Sequence, residues 1–340
     1  MIDERDGANQ TKRNHTAQPS SAATRPEHYP HKPSIVFFGS GPVAAKSLEL
    51  LSKDFAIEAI VTKPVPAHHR GDFPVITLAE KLGLKTLFAS SKDELDDLFA
   101  SSPVTSRAAV LIDFGIIVSQ KVIDYFPLGI INSHFSLLPE WRGADPISFA
   151  ILSGQKQTGV SLMLLVEAMD EGPLLAQAPY DIPADATAPS LTEVLIDLSN
   201  ECLKNILPLW LDGKTQPAPQ EEVTMAASKE PTYSRKLTKQ DGILDWNKPA
   251  EQLEREIRAY IDWPKSRTEL AGKEVIITGA HAVPSDSPDD KPGHIEYLSD
   301  VGVIMVTTSG GSLCIDTLKP AGKKGMPVKA FLAGYGKNLS

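Results

Sequence analysis

The fold is decided by residues 34–51, which have the sequence SIVFFGSGPVAAKSLELL. Four consecutive apolar residues after Ser34 predict a buried strand, and the glycines that follow predict a tight turn. Apolar residues at helical spacing, ending with Leu50 and Leu51, predict a helix directly after the turn. The stretch therefore indicates a strand, a turn and a helix, which is the opening unit of an α/β fold.

The same alternation of strand and helix continues through the first two thirds of the chain. Further strands are predicted at 57–61, 86–88, 108–112, 129–132, 160–166 and 174–182, with helices near 78–82, 92–101, 118–125 and 187–210. Strands that alternate with helices at this interval imply right-handed crossovers and a parallel sheet covered on both faces. We therefore expect a Rossmann-like, mostly parallel sheet domain over residues 34–211.

The last third of the chain has a different pattern. Residues 212–232 are rich in Pro, Gln, Glu and Lys without apolar periodicity, which predicts a linker. A helix predicted over 249–260 is followed by five short strands, predicted at 266–270, 274–278, 295–298, 302–307 and 312–318. Short strands separated by Gly and Pro turns indicate a small antiparallel β-barrel of OB-like type, with its leading helix, over residues 233–340.

Composition excludes several classes of protein. No apolar run approaches the roughly 20 residues that cross a bilayer, so no membrane association is expected. Residues 1–33 are polar and charged, which predicts a disordered tail without secretory features and hence a cytoplasmic location. Cys202 and Cys314 stand far apart in the sequence, so the pattern predicts two buried core residues rather than a disulfide or a zinc cluster.

The charge distribution leaves the question of nucleic-acid binding open. A net charge of −9 argues against a surface that binds nucleic acid throughout. The chain nevertheless ends in a basic cluster, Lys319, Lys323, Lys324, Lys329 and Lys337. These lysines could contact a polyanion locally, or they could form only a solvated surface that aids solubility. The Gly39-x-Gly41 turn is a weak dinucleotide signal, because Ala44 replaces the third glycine and Pro42 removes an amide donor.

The candidate chemistry lies in residues 129–172. Asn132 and His134 end a predicted strand, where open parallel sheets collect ligands, and residues two apart on a strand project to the same side. With Asp170 they would suit transfer of a formyl group to an amine. The amide would stabilise an oxyanion, the imidazole would move a proton, and the carboxylate would orient the imidazole. Taken alone, an Asn-x-His pair is more typical of a structural strand end.

The ordered motifs of this segment resemble the folate-dependent formyltransferase superfamily. They are Asn132-x-His134, Ser136 to Pro139, Arg142-Gly143 and the downstream Asp170. The resemblance implies 10-formyltetrahydrofolate as formyl donor, the catalytic set Asn132, His134 and Asp170, and no metal. It also assigns the folate cleft to Ser136, Leu137, Leu138, Pro139, Phe114, Gly115 and Ile117.

Motifs in the C-terminal third are similar to those of the methionyl-tRNA formyltransferase family. They lie at 236–246, at 257–264 with Trp263-Pro264, and at 318–326. This resemblance, over about residues 34–337, implies that initiator methionyl-tRNA is the partner and that the protein is a monomer. The residues expected to contact tRNA are Arg70, Arg142, Lys319, Lys323 and Lys324.

Several positions depart from the family pattern. The loop at 63–74 is short and keeps only Lys63, Arg70 and two histidines of what is usually a longer basic insertion. Phe135, Asp113 and Pro173 also replace the usual residues around the site. A sugar-nucleotide N-formyltransferase, or a homologue that binds folate or RNA without turnover, therefore remains an alternative.

Overall fold

Two sheets of different construction organise the chain. The computed structural model describes residues 32–65, 73–223, 229–284, 291–298 and 302–335. The predicted disordered tail lies outside these ranges except for its last two residues, and so do Arg70 and Lys337. From Lys32 onward the described residues belong to one compact unit. Among the described helices, none combines the length and the apolar character needed to cross a membrane.

The first sheet forms the predicted Rossmann-like core. The first eight strands of the chain are β1 (Ser34–Phe38), β2 (Ala56–Thr62), β3 (Thr86–Phe88), β4 (Ala109–Leu111), β5 (Ile130–His134), β6 (Arg142–Gly143), β7 (Gln157–Leu164) and β8 (Leu174–Asp181). Seven of them form a sheet in the order β3-β2-β1-β4-β5-β7-β8. Strands β1 to β5 pair in parallel, whereas β7 and β8 pair antiparallel, so the sheet is mostly parallel as expected.

Helices cover both faces of this sheet. They are α1 (Pro42–Asp54), α2 (Pro74–Leu82), α3 (Lys92–Ser101), α4 (Gln120–Tyr125), α5 (Pro146–Ser153) and α6 (Ala188–Leu211). Local sequence explains where they begin: Ser91 accepts a hydrogen bond from the Glu94 amide at the start of α3, and Thr187 and Ser190 form a capping box at α6. The sequence did not predict α5, because its eight residues carry only a weak periodic signal.

Alternating residues of β1 enter two separate cores. Ile35 and Phe37 pack in the cluster beneath α1 and α6, whereas Val36 and Phe38 pack in the cluster beneath α3 and α4. Successive side chains of a strand point to opposite faces, so a strand covered on both faces is apolar throughout. Strand β5 is buried over its whole length, and its polar residues are therefore enclosed at the carboxyl edge of the sheet.

The C-terminal region forms an antiparallel half-barrel, which confirms the predicted fold class. Its elements are β9 (Tyr233–Ser234), α7 (Ala250–Ala259), β10 (Ser266–Leu270), β11 (Lys273–Val283), β12 (Ile295–Leu298), β13 (Val303–Thr307), β14 (Ser312–Pro320), β15 (Met326–Pro327) and α8 (Val328–Tyr335). The strand order is β10-β11-β14-β13-β12, and β15 pairs with β14. All five predicted strands are present. Strand β9 pairs in parallel with β6 and so joins this region to the chain that follows β5.

Helix α7 and the predicted linker pack against the first sheet's domain. Arg255 donates a hydrogen bond from Nε to the Leu152 carbonyl at 3.0 Å. In the linker, Ala218 exchanges backbone hydrogen bonds with Leu174, at 2.7 and 2.9 Å. Gln220, also in the linker, is only 2% exposed. The domain bounds themselves stay a prediction, but this part of the linker is fixed in place.

Candidate active site

A cavity of about 700 Å³ opens at the carboxyl edge of the first sheet. The ends of β4 and β5, the start of α5 and the chain around Lys236 and Trp263 form its walls. Asn132, His134 and Asp170 all line it. The structure therefore brings the three residues predicted to be catalytic into one crevice.

Strand β5 fixes the position of the imidazole. His134 is 7% exposed, and its Nε2 lies 2.8 Å from the Trp141 carbonyl oxygen. A carbonyl oxygen can only accept a hydrogen bond, so Nε2 must carry the hydrogen. In the neutral ring, Nδ1 is then unprotonated, and it lies 3.8 Å from Oδ2 of Asp170. The unprotonated nitrogen of His134 therefore lies beside a carboxylate, on a residue that lines the cavity.

Two donors hold the Asp170 carboxylate. Oδ1 accepts a hydrogen bond from Nδ2 of Asn132 at 3.2 Å, and Oδ2 accepts one from the Gly143 amide at 2.7 Å. The first bond orients the Asn132 amide, because an ionised carboxylate needs the NH2 end to face it. The other N–H of Asn132 has no partner among the residues that the structure describes, so it is available to a ligand. Asp170 has a positive φ of 54°, a left-handed conformation that needs support from its surroundings.

Gln220 supplies that support. Its Nε2 donates to the carbonyls of Asp170 and Gly172 at 2.8 and 3.0 Å. Its Oε1 accepts from Nη2 of Arg142 at 2.8 Å, and Nη1 of Arg142 lies 3.2 Å from Oε1 of Glu171. Sequence reasoning missed Gln220, because a single glutamine in a Pro-rich segment carries no signal.

Arg142, which was predicted to contact tRNA, is a buried residue in the structure. It is only 6% exposed, and its guanidinium is held by Gln220 and Glu171. The structure buries Arg142 behind the loop that carries Asp170, and its contact with tRNA stays a prediction. Arg142 therefore helps to position the loop that carries Asp170.

The predicted folate residues divide into two groups. Phe114 and Gly115 line the cavity, whereas Ile117 is 70% exposed outside its lining. The other four predicted residues are buried, and none of them is among the described residues that line this cavity. They are Ser136, Leu137, Leu138 and Pro139. Their backbone is fixed by Ser161, whose Oγ donates to the Ser136 carbonyl at 2.7 Å and accepts from the Leu138 amide at 3.0 Å. In this structure that turn supports the floor of the site.

Asp113 is an unusual acid in the cavity wall. The surrounding walls withdraw water from its carboxyl group and raise its pKa to about 6. A hydrogen bond from the Ala44 amide opposes this rise, the neighbouring Asp145 carboxylate adds to it, and Lys63 opposes it. A side chain at Gly41 would collide with the Asp113 carboxylate. The glycine turn therefore accommodates the protein's own carboxylate, in keeping with its weak dinucleotide signal.

The C-terminal region contributes further groups that sequence reasoning did not place at the site. Lys236 and Trp263 both line the cavity, and Nε1 of Trp263 donates to the Leu237 carbonyl at 3.2 Å. Their motifs were recognisable, but their orientation depends on the packing of the two regions. The predicted tRNA contacts Lys319, Lys323 and Lys324 lie elsewhere, exposed on β14 and the turn that follows it.

Comparison with known proteins defines the class. Residues 57–207 match the family model described as formyl transferase, and residues 236–336 match the model described as formyl transferase, C-terminal domain. The N-formyltransferase from Helicobacter canadensis, solved with folinic acid and dTDP-3-aminofucose, shares the fold. Its TM-score is 0.60 at 16% identity, over 84% of this chain and 98% of that one. Fold and site thus define a formyl transferase.

Sequence relatives identify the family within that class. The methionyl-tRNA formyltransferase of Roseiflexus castenholzii is 33% identical over 306 residues, which cover 88% of this chain and 95% of the relative. That of Geobacillus thermodenitrificans is 33% identical over 315 residues, which cover 90% of this chain and 96% of the relative. The chain belongs to the methionyl-tRNA formyltransferase family.

Proposed function

We propose that this protein transfers a formyl group from 10-formyltetrahydrofolate to the α-amino group of methionine on initiator tRNA, for translation initiation. The observation that carries the proposal is the convergence of Asn132, His134 and Asp170 on one cavity, in a chain whose relatives at 33% identity have that activity in their names. A volume of about 700 Å³ lies within the range of small-molecule sites.

The cavity suits a folate. It combines an aromatic side chain, Phe114, and the backbone of Gly115 with the polar groups of Asp113 and Lys63. Apolar walls with a few fixed polar groups are typical of cofactor sites. When bound, the folate supplies the formyl group. Phe114, Gly115 and Asp113 would hold it.

Asn132 acts on the oxygen of the formyl group. Attack by the amine makes that oxygen negative, and the Asn132 N–H that is not bonded to Asp170 donates to it. Losing such a donor typically costs about 2.7 to 4 kcal/mol of transition-state stabilisation. Asp170 contributes by holding the amide with its NH2 end correctly turned.

His134 moves the proton. A nitrogen–carbon bond forms between the amine and the formyl carbon, and the bond from that carbon to the folate nitrogen breaks. The proton lost by the amine must reach the leaving nitrogen. Nδ1 of His134 accepts it, because Nε2 already donates to Trp141. The resulting imidazolium is stabilised by Asp170 until the proton is delivered.

The large substrate approaches from the side of the half-barrel. Trp263 and Lys236 border the cavity there, and the exposed lysines of the turn after β14 provide positive charge for tRNA phosphates. We propose further that the protein is a monomer and works in the cytoplasm. Size-exclusion chromatography with light scattering, at micromolar concentration with and without tRNA, tests the monomer.

A paired assay tests the proposed reaction. Purified protein and 10-formyltetrahydrofolate are incubated either with methionyl initiator tRNA or with a dTDP-amino sugar, and the formylated product is quantified. Formylation of the charged tRNA supports the proposal. Activity on the sugar nucleotide alone would replace it with the sugar N-formyltransferase alternative. Inactivity on both substrates would favour a non-catalytic homologue.

Variants connect that activity to the site. His134→Ala should reduce kcat severely without loss of the fold, since the imidazole carries the proton. His294→Ala is the matched control, because this histidine is exposed on the half-barrel. Equal activity of the two variants would contradict the role given to His134.

A further inference from the structure

We propose that His281, Cys314 and Asp316 form a zinc-binding site on the outer face of the half-barrel, on a different sheet from the formyl-transfer cavity. His281 on β11 lies directly opposite Cys314 on β14, and Asp316 follows two residues later on the same face of β14. One ligand atom from each residue lies within 4.8 Å of the other two. Nδ1 of His281 is 3.0 Å from Oδ2 of Asp316.

The strand pairing explains why these groups share one face. Residues 313 and 315, on either side of Cys314, point into the half-barrel core. Cys314 and its cross-strand partner therefore point away from that core, and Cys314 is 9% exposed. Cross-strand neighbours in an antiparallel pair have their Cβ atoms roughly 5 Å apart, close enough for both side chains to reach one ion.

The donor set favours zinc over magnesium or calcium. A thiolate sulfur, an imidazole nitrogen and a carboxylate oxygen together suit a borderline-soft ion, whereas hard cations prefer oxygen alone. In a tetrahedral zinc site with bonds of about 2.0 to 2.3 Å, ligand atoms lie about 3.3 to 3.6 Å apart. The three atoms need shifts on the order of 1 Å to reach that spacing. His281 and Asp316 are both about half exposed, so their side chains can turn to make these shifts.

A cation between these residues would be held by three different donors. Zinc would displace the proton of the Cys314 thiol to solvent and form a sulfur–zinc bond, while Asp316 and His281 supply the second and third ligands. His281 also borders a solvent-open cleft of about 490 Å³, through which an ion can enter.

A zinc ion at this site would cross-link β11 and β14. Sequence spacing could not show it, because more than thirty residues separate His281 from Cys314. The sequence predicted only that Cys314 is a buried core residue and that no zinc cluster forms. Strand pairing places the imidazole of His281 beside the Cys314 thiol, next to the Asp316 carboxylate on the same strand face.

A zinc titration of the metal-free, full-length protein tests the site. Zn²⁺ is added in competition with a chromogenic indicator of known affinity, and stoichiometry and Kd are fitted. Wild type should bind one equivalent through this site, and Cys314→Ser and His281→Ala should each weaken it at least about tenfold, since even outer-shell changes cost 10- to 100-fold. Co²⁺ should give a thiolate-to-cobalt charge-transfer absorption that Cys314→Ser abolishes.

Controls separate this site from other thiols and histidines. Cys202→Ser retains the Cys314 thiol and should bind zinc as wild type does, and so should the double variant His68→Ala with His69→Ala. If Cys314→Ser does not fold, His281→Ala and Asp316→Asn, both at exposed positions, decide the question. Absence of stoichiometric zinc in wild type, or equal affinity in wild type and the ligand variants, would overturn the proposal.

Discussion

Replacing Asp170 with asparagine removes the negative charge that faces His134 while keeping the shape of the side chain. Nδ1 of His134 and Oδ2 of Asp170 are separated by 3.8 Å, and both side chains are nearly buried. Two unit charges about 4 Å apart attract by roughly 4 kcal/mol at an effective dielectric constant of 20. On the proposed proton path the imidazole becomes charged when it accepts the proton of the amine, so this attraction stabilises the transition state.

The rate should fall accordingly. Each 1.36 kcal/mol of lost transition-state stabilisation costs about a factor of ten, so the full loss would be nearly a thousandfold. Asparagine also has only one acceptor oxygen, so its NH2 group faces either the Asn132 amide or the Gly143 amide, both of which are donors. One of the two hydrogen bonds is therefore lost. We expect kcat of Asp170→Asn to be lower by about 100- to 1,000-fold, with thermal stability changed by only a few degrees.

Single-turnover formylation with saturating methionyl-tRNA and 10-formyltetrahydrofolate measures this effect directly, because product release does not contribute. Asp185→Asn serves as the control, since this aspartate is exposed on the surface. A rate for Asp170→Asn within tenfold of wild type, at unchanged stability, would show that no charged imidazole forms beside residue 170. The proton path through His134 would then be wrong.

Three further perturbations follow from the structure. Gln220→Ala should lower the free energy of unfolding by about 3 kcal/mol, measured by denaturant titration, because buried Arg142 loses its acceptor and two carbonyls lose their donor. The folded protein holds the proton of Asp113 more tightly than the unfolded chain does, because the pKa of Asp113 is raised to about 6. This stabilisation is complete below about pH 4 and is lost as pH rises through 6. Asp113→Asn should therefore show a smaller fall in Tm than wild type between pH 5 and 7.5. Lys323→Glu with Lys324→Glu should weaken tRNA binding and reduce the slope of log Kobs against log salt concentration by about 1.5 to 2, measured by filter binding.

Each of these has an internal check. Gln220→Glu keeps the acceptor for Arg142 but loses the donor to Asp170, so it should retain more stability than the alanine variant while still losing activity. If Tm changes with pH in the same way for Asp113→Asn and wild type, the titration of Asp113 does not cause the pH dependence of stability. Charge reversal at Lys81 and Lys85, exposed in the first sheet's domain, should leave the salt slope unchanged.

The sequence predicted the elements of the fold well where their signals are local. The apolar run of β1 and the short alternating runs of β10 to β14 were recognisable in the sequence, and so was the long amphipathic pattern of α6. It missed α5, whose eight residues are too short for a clear period. The sequence also did not predict that β7 and β8 pair antiparallel, because the direction of a strand depends on the path of the connections between strands.

The sequence by itself determined which residues could do the chemistry: Asn132 and His134 alternate on one strand, and their motif context indicates a formyltransferase. Tertiary structure alone decided their partners. Asp170 reaches them because a loop nearly forty residues away is held by Gln220 and Arg142, and His281 meets Cys314 only through strand pairing. Local patterns encode secondary structure, whereas contacts between distant residues depend on how the whole chain buries its apolar surface, and no short stretch contains that information.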